Sequence, residues 1–175
     1  VITGSTFTDN TADRSNGGAI YNSGFQGGKS NPVISRSTFT NNTARFDEGG
    51  AIYNNGGDGE SSPVITSSTF TGNSAAFGGA MLNNGGDGGE SSPVITSSTF
   101  TGNSADAGSG GAIYNDGENG TSSPQITISA FASNTATNAG GAILNDGRGG
   151  TSSSQIKNTI LWGNTAQIGA QVLSA

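Results

Sequence analysis

A repeat of about thirty residues runs through the whole chain and constrains its fold more than any other feature. Five copies hold the skeleton F-x-x-N-x-A followed by G-G-A-[IM]-x-N, and a sixth, degenerate copy keeps only Gly169-Ala170 of the second motif; together the six copies fill all 175 residues. The anchor position of the six copies is held by Phe7, Phe39, Phe70, Phe100, Phe131 and Leu161. A unit of this length cannot bury its own apolar side, but it can do so by stacking on copies of itself.

Each copy contains short runs in which apolar and polar residues alternate, and Gly, Asn and Ser bound these runs. Such alternation predicts strands, and no segment shows the 3.6-residue period of a helix. The predicted fold is therefore all-β: a right-handed parallel β-helix, or β-solenoid, of six coils of about 30–32 residues. It forms one domain over residues 1–175.

Three apolar ladders are expected inside this β-helix, one of which is the anchor series. The second is Ile2, Ile34, Ile65, Ile95, Ile126 and Ile156, and the third is Ile20, Ile52, Met81, Ile113, Ile143 and Val172. Asparagine recurs three residues after each anchor and at the end of the G-G-A block, which predicts stacked amide ladders at turns. Trp162, in the atypical sixth copy, is expected to approach the end of the core.

The paired motifs F-x-x-N and G-G-A-[ILV] resemble the polymorphic outer-membrane protein repeat. That repeat occurs in autotransporter passengers and in other secreted bacterial proteins of the pectate-lyase-like, right-handed β-helix fold. The resemblance implies an extracellular or bacterial cell-surface location and a structural or adhesive role. It implies no reaction, although the same fold also carries polysaccharide lyases and hydrolases.

The residue types present argue against several function classes. A net charge of −6 with only six Lys plus Arg disfavours nucleic-acid binding. The chain has no His and no Cys, so the usual general base and nucleophile pairs are missing, and we expect no catalysis. No stretch is long and apolar enough to span a membrane. A polysaccharide-processing enzyme remains an alternative.

A Thr-x-Thr pair flanks the anchor in four copies, and with the anchor inward both threonines face outward. The pairs are Thr6 and Thr8, Thr38 and Thr40, Thr69 and Thr71, and Thr99 and Thr101. Such flat ranks look like the ice-binding faces of β-solenoid antifreeze proteins, so an ice-binding function is a second alternative. Threonine also suits exposed strands by β-propensity alone.

A second candidate surface follows the third apolar ladder: Tyr21, Tyr53, Leu82, Tyr114, Leu144 and Leu173. If the preceding residue points inward, this stripe points outward and offers a partner or sugar-stacking surface. The alternative is that the long loops fold back over it.

The loops after the second Asn series carry acids, namely Asp58, Glu60, Asp87, Glu90, Asp116 and Glu118. Stacked coils would bring like charges together, and a bound Ca²⁺ would relieve their repulsion. The alternative is a set of solvated acidic loops, and no other cofactor is expected.

The chain begins inside a strand pattern and its last copy is still strand-like. Unpaired strand edges promote association. We therefore expect the chain either to continue in a longer protein or to stack end to end into a filament or oligomer. The expected partners are another copy of the chain or a cell-surface polysaccharide.

Overall fold

The computed structural model describes residues 1–175 and contains 23 strands and no helix. Every strand pairs in parallel with strands from neighbouring repeat copies. The predicted parallel β-helix of six coils is confirmed. Coil 1 contains β1–β4, coil 2 β5–β8, coil 3 β9–β12, coil 4 β13–β16, coil 5 β17–β20 and coil 6 β21–β23.

The strands form four sheets that run the length of the stack. The first sheet contains β1 (Ile2–Thr3), β5 (Val33–Ser35), β9 (Val64–Thr66), β13 (Val94–Thr96), β17 (Gln125–Thr127) and β21 (Gln155–Lys157). The second contains β2 (Thr6–Thr8), β6 (Thr38–Thr40), β10 (Thr69–Thr71), β14 (Thr99–Thr101), β18 (Ala130–Ala132) and β22 (Ile160–Trp162). The third contains β3 (Thr11–Ala12), β7 (Thr43–Glu48), β11 (Ser74–Phe77), β15 (Ser104–Ala105) and β19 (Thr135–Ala136). The fourth contains β4 (Ile20–Ser23), β8 (Ile52–Asn55), β12 (Met81–Asn84), β16 (Ile113–Asp116), β20 (Ile143–Asp146) and β23 (Val172–Ser174).

The core consists of the three apolar ladders that the repeat predicts. The Phe rings stack face to face, with centroids 4.6–4.8 Å apart and planes within 2° of parallel. The two aliphatic ladders pair in register from coil to coil. The four inner coils bury these side chains completely, so stacking supplies the apolar burial that one coil lacks.

Left-handed backbone conformations make the corners of each coil. Between the first and second sheets the corner residue has a positive φ, as at Gly4, Ser67 and Asn158. Coil 5 places Ile128 there with φ 50°, although a β-branched side chain is strained in this region. The glycine that opens each G-G-A block also has a positive φ.

No helix of this protein is long and apolar enough to cross a membrane.

Candidate functional site

Two asparagine ladders occupy the interior and confirm the amide stacks predicted from the repeat. In the first, each Asn Oδ1 accepts both the backbone N–H and the Nδ2 of the Asn one coil earlier, as Asn73 does from Asn42 at 2.9 Å. The same Nδ2 also donates its other hydrogen to the carbonyl oxygen of the anchor Phe one coil earlier, as from Asn73 to Phe39 at 3.1 Å. The second ladder repeats Nδ2-to-Oδ1 bonds of 2.7–2.8 Å, ending at Asn145. These asparagines hold the fold together and are not available to a ligand.

Serine hydroxyls form further interior ladders that the sequence analysis did not identify. Ser68 Oγ accepts the backbone N–H of Ser37 at 3.2 Å and donates to the carbonyl of Thr66 at 2.9 Å. The inner loop serines bond to carbonyls of earlier coils in the same way, as Ser91 does to Ser61 and Asn54. The signal was present, because the serine equivalent to Ser68 recurs in the first five copies and Thr159 replaces it in the sixth. No buried side-chain nitrogen or oxygen lacks a partner, so the interior offers no unused polar group.

The threonine pairs lie on the outer face of the second sheet, as the repeat predicts. The two ranks stack in register through coils 1–4, and none of the eight hydroxyl groups takes part in an intramolecular hydrogen bond. They are exposed or half-buried. The ranks then change to Ala130 and Ala132 in coil 5 and to Ile160 and Trp162 in coil 6.

We call these twelve outward positions of the second sheet the hydroxyl–apolar face. Its end at coil 6 is strongly exposed: Trp162 is 70% and Ile160 68% accessible, and the corner residue Ile128 beside them is 62% accessible. The expectation that Trp162 approaches the core is therefore wrong. Trp162 pairs with Ala132 and so continues the second Thr rank. Because neighbouring residues of a strand point to opposite faces and Leu161 points inward, Trp162 points outward. No charged residue occupies any outward position of this face.

The tyrosine–leucine stripe is not an exposed surface, and that prediction is wrong for coils 2–5. Tyr53 and Tyr114 are buried in a small second cluster with Leu82 and Leu144, and only Tyr21 at coil 1 is half exposed. Residues before two of the Gly-Gly corners pack on the stripe: the Phe77 ring lies edge-on against Tyr114 with centroids 5.7 Å apart, and Ala139 contacts the cluster. The alternative of a covered stripe agrees with this burial.

The hydroxyls of Tyr53 and Tyr114 hydrogen bond to the last residue of the fourth-sheet strand in the next coil. Tyr53 accepts a hydrogen bond from Asn84 Nδ2 at 3.0 Å, and Tyr114 donates to Asp146 Oδ2 at 2.9 Å. Burial raises the pKa of both tyrosines well above the ordinary value. Burial alone would raise the pKa of Asp146, but hydrogen bonds from Arg148 and Tyr114 outweigh it and lower that pKa.

The acidic loops stack along one edge and are tied to each other and to the few basic residues. Glu60 pairs with Lys29 Nζ at 2.6 Å, and the hydrogen bond from Lys29, followed by that from Asn31, lowers the pKa of Glu60. Asp58 accepts the backbone N–H of Gln26 at 2.6 Å. Glu118 Oε2 lies 3.4 Å from Arg148 Nη2. Burial raises the pKa of Asp116.

The predicted calcium ligands do not converge. A shallow groove of about 420 Å³ runs across the loops and is lined by Asp58, Glu60 and Glu90 together with glycines, Lys29 and Thr121. Asp87 is not among its lining residues, and Asp116 and Glu118 lie around Arg148 instead. No group of three or more His, Cys, Asp or Glu side chains is arranged to hold a metal ion.

Comparison with known families supports the repeat assignment. Three segments, residues 4–23, 36–55 and 97–116, match the model of the Chlamydia polymorphic membrane protein repeat. Three of the six coils are therefore similar to polymorphic membrane protein repeats. The matched segments lie in coils 1, 2 and 4 and extend in coil 4 from the second strand to the end of the fourth. No curated protein and no solved structure shows significant similarity to the chain.

Polymorphic membrane protein repeats are typical of non-enzymatic proteins on the outer-membrane surface. This supports a surface-exposed β-helix module, as the resemblance of the two motifs implied. It identifies no particular partner.

Proposed function

We propose that this chain is a non-catalytic, extracellular adhesive module whose contact surface is the hydroxyl–apolar face. The observation that carries this proposal is the division between inside and outside. The interior polar side chains are committed to ladders, whereas eight threonine hydroxyls and an exposed indole on one face have no partner within the chain.

A neutral polysaccharide of the cell surface is the partner that fits this face best. Its hydroxyl groups can bond to the Thr ranks, which repeat at the 4.6–4.8 Å spacing of the Phe ladder beneath them. The C–H face of a sugar ring can stack on Trp162, since aromatic side chains combine a large apolar surface with a polar edge. Because the face is free of charge, a polyuronate or other charged polymer would gain no ion pairs there.

Binding to insoluble neutral polysaccharides, measured as the fraction of protein retained, tests this proposal. Trp162→Ala is expected to weaken retention by about tenfold or more, because it removes the one aromatic side chain of this face on which a sugar ring can stack. Ile168→Ala is the matched control, because Ile168 is 61% exposed but lies outside this face. Equal retention of both variants and the wild type would reject the proposed face.

The two alternatives give different results in simple assays. Release of unsaturated or reducing sugars from a polysaccharide panel would indicate an enzyme, and we expect none. Thermal hysteresis that Thr69→Tyr abolishes would indicate ice binding. We expect no hysteresis, because the Thr ranks cover only four coils before Ala, Ile and Trp replace them.

Assembly into a filament is not part of this proposal. In-register stacking of one copy on another would require coil 6 to accept coil 1. Ala170 obstructs that contact, because it takes the register of Gly141, where a Cβ would stand 2.3 Å from a carbonyl oxygen of the following coil.

A further inference from the structure

The hydroxyl–apolar face is long in one direction and narrow in the other. Each strand of the second sheet presents two outward side chains, which lie about 7 Å apart. A residue with positive φ follows each end of the strand and turns the backbone away, as Ser67 and Gly72 do in coil 3. Along the stack, by contrast, equal positions repeat in register from coil to coil. An extended polymer therefore keeps contact with this face only if it lies parallel to the axis of the β-helix.

The corners along one long side of the face carry little or no side chain in coils 3–6. This side lies next to the second outward rank and leads to the third sheet. From coil 1 to coil 6 its corner residues are Asp9, Asn41, Gly72, Gly102, Ser133 and Gly163. A Cβ at Gly102 would meet no atom within 4 Å, so packing inside the chain does not fill this space. The second rank of coils 3–6 is therefore open on its outer side to a bulky polymer.

Charged corner residues flank only coils 1 and 2. Among the corner residues on both sides of the face, only Asp9 and Arg36 carry a charge, and both are exposed. From coil 3 to coil 6 neither the corners nor the outward positions are charged. A neutral polymer that lies over coils 3–6 therefore removes no charged corner group from water, which keeps the cost of covering this surface low.

The second rank changes from hydroxyl to aromatic within these four coils. Thr71 and Thr101 present hydroxyl groups without a partner inside the chain, Ala132 presents a methyl group, and Trp162 presents an indole. A sugar can exchange hydrogen bonds with the threonines, and the C–H face of another sugar can stack on the indole. The small side chain of Ala132 leaves room for a sugar ring between these two kinds of contact.

We propose that one unbranched chain of a neutral polysaccharide, with the extended β-linked backbone of cellulose, lies along the second rank of coils 3–6. The chain runs parallel to the β-helix axis with one sugar over each coil. A pyranose unit of an extended chain is about as long as one coil spacing, which is 4.6 Å between the Phe rings of coils 3, 4 and 5. An α-linked chain curves and would leave a straight rank after one or two sugars. This inference rests on the proposed function, because it takes the same face as the contact surface.

Titration with soluble oligosaccharides tests the length and the shape of the bound chain. Trp162 is the only tryptophan, so its fluorescence reports on this face alone. Cello-oligosaccharides are expected to bind more tightly with each glucose unit from two units up to four, and five or six units are expected to add nothing. Malto-oligosaccharides of the same lengths, in which the linkage is α, are expected to show no such rise.

Threonine-to-valine substitutions keep the branched shape and remove only the hydroxyl group. Thr101→Val is expected to weaken binding of the four-unit chain by about twofold to tenfold, as for one lost neutral hydrogen bond. It should leave the two-unit chain unaffected, because that chain covers only coils 5 and 6. Two controls are expected to have no effect: Thr8→Val, on the same rank in coil 1, and Thr66→Val, a half-buried outward threonine of the first sheet.

The outcomes separate this inference from the proposed function. Equal affinity for two-unit and four-unit chains would overturn the inference, and so would no binding of the six-unit chain or equal behaviour of the two oligosaccharide series. An effect of Thr8→Val as large as that of Thr101→Val would also overturn it. The proposed function survives these results if Trp162→Ala still lowers retention on insoluble polysaccharide. Unchanged retention of Trp162→Ala would reject both.

Discussion

Removing one amide from the middle of the buried ladder tests how much the asparagines stabilise this fold. Asn73 takes part in five hydrogen bonds through its side chain or its backbone N–H, and it is fully buried. In Asn73→Ala the backbone N–H and one Nδ2 hydrogen of Asn42 lose their acceptor. Phe39 loses a donor to its carbonyl oxygen.

The two donors of Asn42 dominate the cost. A buried polar group left without a partner costs about 1–3 kcal/mol, so two of them lower the free energy of unfolding by about 2–6 kcal/mol. Asn103 contributes little, because its Oδ1 still accepts the backbone N–H at position 73 at 3.0 Å. The same substitution in coil 1 has a smaller expected cost: Asn10→Ala removes only the hydrogen bond from Asn10 Nδ2 to Asn42 Oδ1, worth about 1 kcal/mol.

Urea unfolding followed by circular dichroism measures both variants, and Asn138→Ala serves as an exposed control expected to change stability by less than about 0.5 kcal/mol. If the variants share the same dependence of unfolding free energy on urea, their urea midpoints can be compared directly without extrapolation to water. The reasoning fails if Asn73→Ala costs no more than Asn10→Ala, since the ladder would then not depend on burial and on satisfied amides.

Three further predictions concern the core, the corners and the tyrosines. Phe70→Ala should lower the free energy of unfolding by about 3–5 kcal/mol, because a fully buried ring with a partner on each face is lost; a cost below 1 kcal/mol in urea unfolding would contradict this. Ile128→Asn should raise the free energy of unfolding by up to about 1 kcal/mol because Asn tolerates the positive φ at this position, whereas Ile160→Asn, on ordinary backbone, should not raise it. Burial raises the pKa of Tyr53 and Tyr114, so the stability that their neutral hydroxyls contribute is complete below pH about 10 and declines as pH rises further. Unfolding midpoints that do not fall between pH 8 and pH 11 would refute the last point.

The architecture was predictable because every stabilising element repeats. Phe70, Ile65 and Asn73 recur at fixed offsets in each copy, and strands stacked in parallel must bring equal positions together. The three apolar ladders and the first Asn ladder therefore follow from the repeat length alone.

The tyrosine stripe was mispredicted because its cover does not repeat. Between the Ala of the F-x-x-N-x-A motif and the Gly-Gly corner, the copies differ in length and composition. Phe77 covers Tyr114 in one place and Ala139 packs against the stripe in another. The alternation of apolar and polar residues correctly predicted that these side chains point away from the main core. It could not predict which residues pack on their outer side.

The loops were unpredictable for a related reason. The pairing of Lys29 with Glu60 depends on loop register, which the isolated bridges from Lys29 through Glu60 to Glu90 define. A single basic residue in the first loop changes the electrostatics of the acidic series, because it stands next to the first of the stacked glutamates. From sequence the acids alone suggested calcium, whereas the geometry pairs Glu60 with a lysine and places Asp146 beside Arg148.

The six copies also serve as an internal comparison that separates stability from recognition. From coil 1 to coil 6 the inward residue of the second sheet changes only from Phe to Leu161, whereas the outward residues change from Thr to Ala and then to Ile160 and Trp162. Replacing outward threonine with a largely exposed indole brings no burial that would stabilise the stack, and it places apolar surface in water. Ile128 adds backbone strain at the adjoining corner, again without burial. Exposed residues that stabilise neither the coil nor its neighbours concentrate on the coil 5–6 end of one face, and this concentration is the reason for proposing the contact surface there.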